Sequence, residues 1–177
     1  MSNVRRRQVR FRSGQLGDTK NLAALAIQVW LHTYATDGVS SPISEYVLSE
    51  FTVEKFAALV SDPSCVVFVA EIEGNLVGYA IVNIGTPCPE FTSASAELAT
   101  LYVQEHFIGK GVGSSLLKQA ELWARHRAES SLWLTVNSNN TRAQAFYARH
   151  RYTAIGITYF KLGHKSHENI VLVGRDA

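Results

Sequence analysis

The sequence is poor in the residues that build disulfide frameworks, metal sites and membrane spans. Its 177 residues include only two cysteines, Cys65 and Cys88, which lie far apart and lack the spacing of metal ligands. No apolar run approaches the roughly 18 residues of a membrane span. The first residues carry charge but no apolar segment, so they do not resemble a signal peptide. We therefore expect reduced thiols, no metal and a cytoplasmic protein without a membrane segment.

An excess of charge of one sign is also missing. Lysine and arginine number 17 against 15 acidic residues, a net charge of +2, which gives no support for nucleic-acid binding. The exception is a group of arginines at the start of the chain, in a stretch that partly alternates between polar and apolar residues. The rest of the chain is not basic, so we predict a solvated outer strand over residues 4–12 rather than a nucleic-acid site. These arginines are Arg5, Arg6, Arg7, Arg10 and Arg12.

What the chain does contain is an alternation of strand and helix patterns. Its length and its 46% hydrophobic content suit one domain with one sizeable core. We expect Asp18 and Thr52 to cap the first and third helices. The periodicity predicts helices at 19–34, 43–50, 53–61, 112–128 and 142–150, and strands at 4–12, 64–73, 76–84, 95–103, 132–136, 152–161 and 168–173. This order is that of a mixed α/β domain.

One stretch combines a strand, a glycine-rich turn and the start of a helix. The turn reads Gly109-Lys110-Gly111-Val112-Gly113, and Ser114 follows it. Glycine lets a ligand approach the backbone closely, and a helix N-terminus offers unpaired N–H groups. The stretch therefore predicts an anion site, most naturally for a phosphate or pyrophosphate. The spacing matches neither the nucleotide P-loop nor the dinucleotide fingerprint, and purely structural glycines are the alternative.

A second block follows about 30 residues later, with the pattern N-x-x-A-x-x-F-Y at Asn140, Ala143, Phe146 and Tyr147. Together the two blocks resemble the GNAT superfamily of acyl-CoA-dependent N-acetyltransferases. The resemblance implies an α/β fold and a single domain over residues 1–177. Its mixed, mostly antiparallel sheet would have six to seven strands, be splayed between the fourth and fifth strands and be flanked by helices.

The resemblance also implies where acetyl-CoA, the cosubstrate, would bind. Backbone N–H groups of residues 109–114 would hold the pyrophosphate, and Lys110 would either add charge or be solvated. The pantetheine arm would pair with the strand at Leu101, Tyr102 and Val103. Asn140 would bond the arm or simply cap its helix, with Ala143 and Phe146 close to the cofactor. Two positions depart from the family motifs, Ile108 where Gln or Arg is usual and Arg151 where glycine is usual.

Two residues match the family's acid and base positions. Tyr147 would protonate the departing thiolate, the alternative being a tyrosine that only packs. Glu97 would take the proton of the amine, directly or through water, the alternative being an exposed glutamate. Even spacing predicts that Glu97, Ala99, Leu101 and Val103 share one strand face, where apolar neighbours would raise the Glu97 pKa. His32 and His106 are rival bases.

The acceptor is less well defined than the cosubstrate. Trp30 and Tyr34 are expected to line its pocket or to pack in the core, and either ring could stack on a cationic amine. Neither motif contains cysteine, which favours direct transfer without an acetyl-enzyme. Residues 159–172 faintly resemble the end of bacterial spermidine/spermine acetyltransferases, so a polyamine or other small amine is the first hypothesis. A peptide N-terminus and a non-catalytic acyl-CoA-binding module are the alternatives, and a homodimer is compatible with the resemblance.

Overall fold

A computed structural model describes residues 8–90, 93–128 and 130–174 of the chain. They form one seven-stranded sheet with helices on both faces. The strands are β1 (Arg10–Ser13), β2 (Cys65–Ile72), β3 (Asn75–Ile84), β4 (Ala96–Val103), β5 (Leu132–Asn137), β6 (Tyr152–Leu162) and β7 (Lys165–Gly174). The helices are α1 (Thr19–Tyr34), α2 (Ser41–Glu50), α3 (Val53–Ser61), α4 (Val112–Ala128) and α5 (Thr141–Arg149).

The strands lie in the order β1-β2-β3-β4-β5-β7-β6, and every neighbouring pair is antiparallel except β4–β5. One face of the sheet packs against α4, whose Leu116, Leu117 and Ala120 are fully buried. The other face packs against α1 and α3 through residues such as Leu22 and Phe56. The predicted α/β fold with a mostly antiparallel sheet is confirmed.

The single parallel pair is short, and this splays the sheet. β4 and β5 pair only at Ala96 with Leu132 and at Glu97 with Trp133. On its other side β4 stays paired with β3 as far as Val103 opposite Gly78. The β5-facing backbone edge of residues 98–103 is therefore without a strand partner. The predicted splay between the fourth and fifth strands is confirmed, and the gap it leaves ends at the glycine-rich turn.

A β-bulge in β4 overturns the predicted alternation of its side chains. Leu98 pairs with Val82 and Thr100 with Ile81, so Ala99 is an extra residue that reverses the alternation. Leu98 and Leu101 consequently both pack on the α4 side, in one core cluster. The prediction that Glu97 shares a face with Leu101 and Val103 is wrong. Glu97 instead lies on the face covered by α1 and α3, as do Thr100 and Tyr102.

The first strand and the first helix cap also differ from expectation. β1 begins at Arg10, and residues 4–7 of the predicted strand lie outside the described residues. Asp18 does not cap α1 with its side chain. Its carboxylate instead accepts two hydrogen bonds from the Arg12 guanidinium, at 2.7 and 2.9 Å. Arg12 also bonds Glu71, so it is a structural residue. The predicted cap Thr52 is confirmed, since it accepts from the Lys55 N–H at 3.2 Å.

The last two strands form a longer hairpin than predicted. β6 reaches Leu162 and β7 begins at Lys165, so the expected polar linker at 162–167 is mostly strand. Only Gly163 and His164 form the turn, with Gly163 at φ 58°. Cross-strand pairing, which local composition does not report, extends both strands. The hairpin tip lies beside α2, because a Cβ added at Gly163 would come within 3.3 Å of Pro42.

Within the described ranges, no helix is both long and apolar enough to cross a membrane. The same part of the chain gathers no group of three or more His, Cys, Asp or Glu side chains able to hold a metal ion.

Candidate active site

The glycine-rich turn has the backbone shape of an anion cradle. Gly109 and Gly111 adopt left-handed φ values of 76° and 82°, which favour glycine. A Cβ added at either would meet nothing within 4 Å, so open space lies in front of the turn. α4 begins at Val112, and the N–H groups of its first turn have no intrahelical partner. Because the Val112 side chain is buried, its backbone alone is available to an anion.

Three side chains surround this turn. The Ser114 hydroxyl lies 2.9 Å from His150 Nε2, a contact that joins the start of α4 to the end of α5. The Lys110 ammonium lies 5.3 Å from the Phe107 ring centroid and is exposed. Gly113 packs near Phe146, whose ring lies 3.5 Å from where a Cβ would stand. The sequence reasoning missed His150, because the signal for it is a contact between distant residues.

Tyr147 lies on α5 and is buried in the core cluster beside α4. Its ring contacts those of Phe146 and Tyr152, with centroids 5.2 and 5.5 Å away. Burial, reinforced by the neighbouring Tyr34 phenol, raises the Tyr147 pKa well above its usual value near 10. The phenol therefore keeps its proton at neutral pH, as a general acid must.

Asn140 is a helix cap, and it also joins two elements. Its Oδ1 accepts the Ala143 N–H at 3.0 Å, which caps α5. Its side chain also lies beside the Tyr34 phenol at the end of α1, where it partly offsets the rise that burial causes in the Tyr34 pKa. Ala143 packs against the same core as Phe146. The α5 residues of the predicted site are thus brought together, and they meet the C-terminal end of α1.

Glu97 is half-buried rather than an exposed strand-end residue. It lies opposite Asn83 in the β3–β4 register. Burial raises the Glu97 pKa above its usual value, while the neighbouring Asn83 amide partly opposes that rise. A carboxylate with a raised pKa suits a general base.

The two histidines that are rival candidates for the base, His32 and His106, line a cavity away from Glu97. A cavity of about 260 Å³ lies between α1, the end of β4 and the start of α5, and both His32 and His106 line it. His32 Nε2 lies 3.2 Å from a Glu105 oxygen. Glu105 also accepts hydrogen bonds from Arg142 Nη1, which lies 3.0 Å from each of the two carboxylate oxygens. Glu97 does not line this cavity.

Aromatic rings cluster where α1 ends. The Trp30 ring lies 4.9 Å from Tyr34 and 5.0 Å from Tyr46 of α2. Tyr46 in turn lies 5.4 Å from Phe160 of β6. Trp30 is buried, whereas Tyr34 is 39% exposed. Trp30 therefore packs behind Tyr34, and the Tyr34 ring is the one available to a ligand. The predicted pair is brought together, but Phe160 had no signal in the sequence because it lies over a hundred residues further along the chain.

The comparison with known families decides the identity of this arrangement. The model of the acetyltransferase (GNAT) family matches residues 27–152. The chain belongs to this family. The GNAT match contains both sequence blocks, the splayed strands and the glycine-rich turn.

Relatives and solved structures agree with this assignment. An uncharacterised N-acetyltransferase from Mycobacterium bovis is 28% identical over 159 residues, which cover 90% of this chain and 97% of the relative. The PaiA N-acetyltransferase of Thermoplasma acidophilum, solved with coenzyme A, aligns with a TM-score of 0.77 at 19% identity, over 96% of this chain and 99% of that one. The Escherichia coli ribosomal-protein-S18-alanine N-acetyltransferase aligns at 0.67 and 17%, over 94% and 92%. These structural likenesses show the GNAT fold.

The GNAT family membership identifies the chain as an acetyl-CoA-dependent N-acetyltransferase. This confirms the activity expected from the two sequence blocks. The roles of individual residues and the identity of the acceptor belong to the proposal below.

Proposed function

We propose that this enzyme transfers an acetyl group directly from acetyl-CoA to the primary amine of a small molecule. The observation that carries the proposal is the divergence of β4 from β5 after Glu97. It leaves a strand edge without a strand partner, and a short 3-10 helix at Glu105–Phe107 connects that edge to the left-handed glycines of the turn. An extended ligand with an anionic end fits such an edge followed by such a turn.

On the cosubstrate side, the N–H groups of residues 109–114 hold the pyrophosphate of acetyl-CoA. Ile108 contributes no polar group, so the backbone and the helix dipole supply most of the attraction. The free edge at residues 101–103 pairs with the pantetheine arm, and a backbone N–H there polarises the thioester carbonyl. Asn140, Ala143 and Phe146 form the opposite wall.

The acid–base chemistry is assigned to Glu97 and Tyr147, whose pKa values burial raises. The amine nitrogen must be neutral to attack, so Glu97 accepts its proton, through water where the two are not in contact. The C–N bond forms, and the nitrogen of the tetrahedral intermediate loses its second proton to solvent by way of Glu97, which has already passed the first one on. The intermediate then collapses and the C–S bond breaks. Tyr147 then donates its proton to the departing thiolate and regains one from solvent. The products are the N-acetylated amine and free CoA.

A small acceptor is favoured over a peptide because α2 closes against the β6–β7 hairpin. The Tyr46–Phe160 ring contact and the approach of Pro42 to Gly163 join the two elements. These contacts leave a smaller opening through which an acceptor could reach the sheet face that carries Glu97. Tyr34 presents an aromatic surface on which a cationic amine can stack, which includes polyamines among the proposed acceptors.

The proposal is tested by measuring thiol release from acetyl-CoA with spermidine, cadaverine, tyramine and a peptide with an N-terminal alanine. Mass spectrometry of the products shows which nitrogen receives the acetyl group. We expect release with at least one small amine and little with the peptide. Thiol release with the peptide alone would contradict the small-amine proposal and support a peptide acceptor. Binding of acetyl-CoA without release from any acceptor would support a non-catalytic module instead.

A further inference from the structure

One buried nitrogen stands apart from the hydrogen-bond network. Within residues 8–90, 93–128 and 130–174, His167 Nε2 is the one buried side-chain nitrogen or oxygen atom without a hydrogen-bond partner. In either tautomer this atom offers a donor or an acceptor. Buried polar atoms in folded proteins are nearly always paired, and leaving one unpaired destabilises the fold. An unpaired atom of this kind calls for a partner that arrives from outside the chain.

The position of His167 in the sheet connects it to the acceptor face. It lies on β7 opposite Phe160 of β6, so the two side chains share a face. Two and four residues further along the same face are Asn169 and Val171. Val171 packs with Trp133, which is the β5 neighbour of Glu97. His167 and Glu97 therefore lie on the same side of the sheet.

His167 also lies beyond the open end of the gap, away from the paired residues of β4 and β5. Asn169 pairs with Asn137, the last residue of β5, and His167 is two residues further out. Glu97, by contrast, lies where β4 and β5 still pair. A molecule that places its reacting amine in the gap can therefore reach His167 only with a more distant part.

Helix α2, which packs against this end of the hairpin, contributes few buried side chains. All ten residues of α2 are described, and Val47 alone among them is buried. Leu48 is 68% exposed. The aromatic contact of Tyr46 with Phe160 holds α2 against the hairpin. Because His167 lies opposite Phe160, a displacement of α2 away from Phe160 would open the space beside both residues.

We propose that His167 is an acceptor-binding residue, whose Nε2 hydrogen-bonds a polar group of a substrate that lies against the Tyr46 and Phe160 rings. The inference rests on the proposed function and deepens it. It assigns the acceptor to one chemical class, primary amines that carry a hydrogen-bonding group distant from the reacting nitrogen. The unpaired nitrogen is retained because the substrate pairs it.

The test uses two pairs of probe amines that differ by one polar group, tyramine against phenethylamine and cadaverine against pentylamine. Wild-type enzyme is expected to prefer the polar member of at least one pair by about tenfold in kcat/KM. His167→Phe keeps a ring but removes the nitrogen. It is expected to cut the preference to below about twofold by raising the KM of the polar amine, with kcat and the KM for acetyl-CoA unchanged.

Two further variants make the result specific. His167→Gln places an amide near the Nε2 position and is expected to restore part of the preference. His164→Phe changes an exposed histidine in the turn of the same hairpin and is expected to behave as wild type. The melting temperature of His167→Phe is expected to equal or exceed that of wild type, since an unpaired buried atom is removed. A preference retained in His167→Phe, or no preference in wild type, would overturn the inference.

A failure of the proposed function is distinguishable from a failure of this inference. If no amine releases thiol, transfer to small amines is refuted, and the imidazole 1H–13C signals of the CoA-bound protein are then followed during titration with the same four amines. A His167 signal that moves with tyramine or cadaverine but not with their apolar partners supports the assignment. A signal that moves with none of them refutes it.

Discussion

Asn83 and Glu97 lie opposite each other in the register of β3 and β4. The Asn83 amide lowers the Glu97 pKa and so opposes the effect of burial, which raises it. Burial alone would hold the carboxyl protonated over a wider pH range. Asn83 is thus placed to keep Glu97 ionised, as a base must be to accept a proton.

Removing the Asn83 side chain should change the pH dependence of the reaction. A base works only when deprotonated, so activity falls as the pH drops through the Glu97 pKa. Asn83→Ala removes the amide that favours the charged form, and we expect the acid limb of kcat/KM to move to higher pH. Asn75→Ala, at the start of the same strand, is the control. An acid limb that stays in place would remove Asn83 from this role.

Glu97→Gln tests the base itself. The amide cannot accept the amine proton, so we expect kcat to fall by about 10²-fold or more. Acetyl-CoA affinity should change little, since Glu97 lies at the far end of β4 from the glycine-rich turn. Wild-type turnover in Glu97→Gln would refute the assignment, and His32 and His106 would be substituted next.

Tyr147→Phe tests the general acid. The ring and its packing on Phe146 and Tyr152 are kept, while the proton donor is lost. We expect kcat to fall by about 10²-fold or more with the dissociation constant of CoA nearly unchanged. Tyr159→Phe, on an exposed residue of β6, should be silent in both measurements. Equal rates for the two variants would show that Tyr147 only packs.

Gly111→Glu tests the anion cradle against a matched control. Both Gly111 and Gly74 have φ of 82° and open space where a Cβ would stand, so both substitutions carry the same backbone strain of about 1–2 kcal/mol. Only Gly111→Glu places a carboxylate in front of the turn. We expect it to abolish the rise in melting temperature caused by acetyl-CoA, whereas Gly74→Glu should retain it. Tight binding of acetyl-CoA by Gly111→Glu would show that the pyrophosphate does not bind at this turn.

Arg12→Met tests a structural ion pair at the edge of the sheet. Arg12 forms ion pairs with Asp18 and Glu71, and most of its side chain is covered. The Arg10 side chain is 74% exposed, and its guanidinium lies 3.7 Å from a Glu71 oxygen. We expect the free energy of unfolding to fall by about 2 kcal/mol in Arg12→Met and by less than about 0.5 kcal/mol in Arg10→Met.

The effect of Arg12 should also depend on pH. The guanidinium lowers the Asp18 pKa below its usual value, so this stabilisation is complete above the pKa of the unfolded chain. It is lost as the pH falls through the lower pKa of the folded state. The difference between Arg12→Met and wild type in urea melts should therefore shrink in acid, and a constant difference would contradict the account.

The sequence predicted those features that depend on neighbouring residues. The apolar spacing of α1 predicted its buried side, and Leu22, Leu25 and Ala26 are indeed covered. The glycine-rich turn and the Asn140 cap were also predictable, because their geometry is dictated within a few residues. The family pattern supplied the splay between β4 and β5, which no local signal encodes.

The features that were missed depend on contacts between distant residues. The bulge at Ala99 arises from the pairing of β4 with β3, and it reversed the face assigned to Leu101. Asp18 has the chemistry of a cap, but Arg12 competes for its carboxylate and wins with two hydrogen bonds. His167 gave no sequence signal, because its unpaired nitrogen is visible only once β7 is paired with β6.

Direct transfer in the gap between β4 and β5 is the central claim, and a single-turnover experiment tests it most directly. Enzyme in excess is mixed rapidly with acetyl-CoA and the best amine of the panel, and free thiol, acetylated amine and acetylated protein are followed together. The account predicts that thiol and acetylated amine appear at the same rate, with no acetylated protein and no thiol release when the amine is omitted. Acetylated protein that forms before the product, or thiol release without amine, would contradict it.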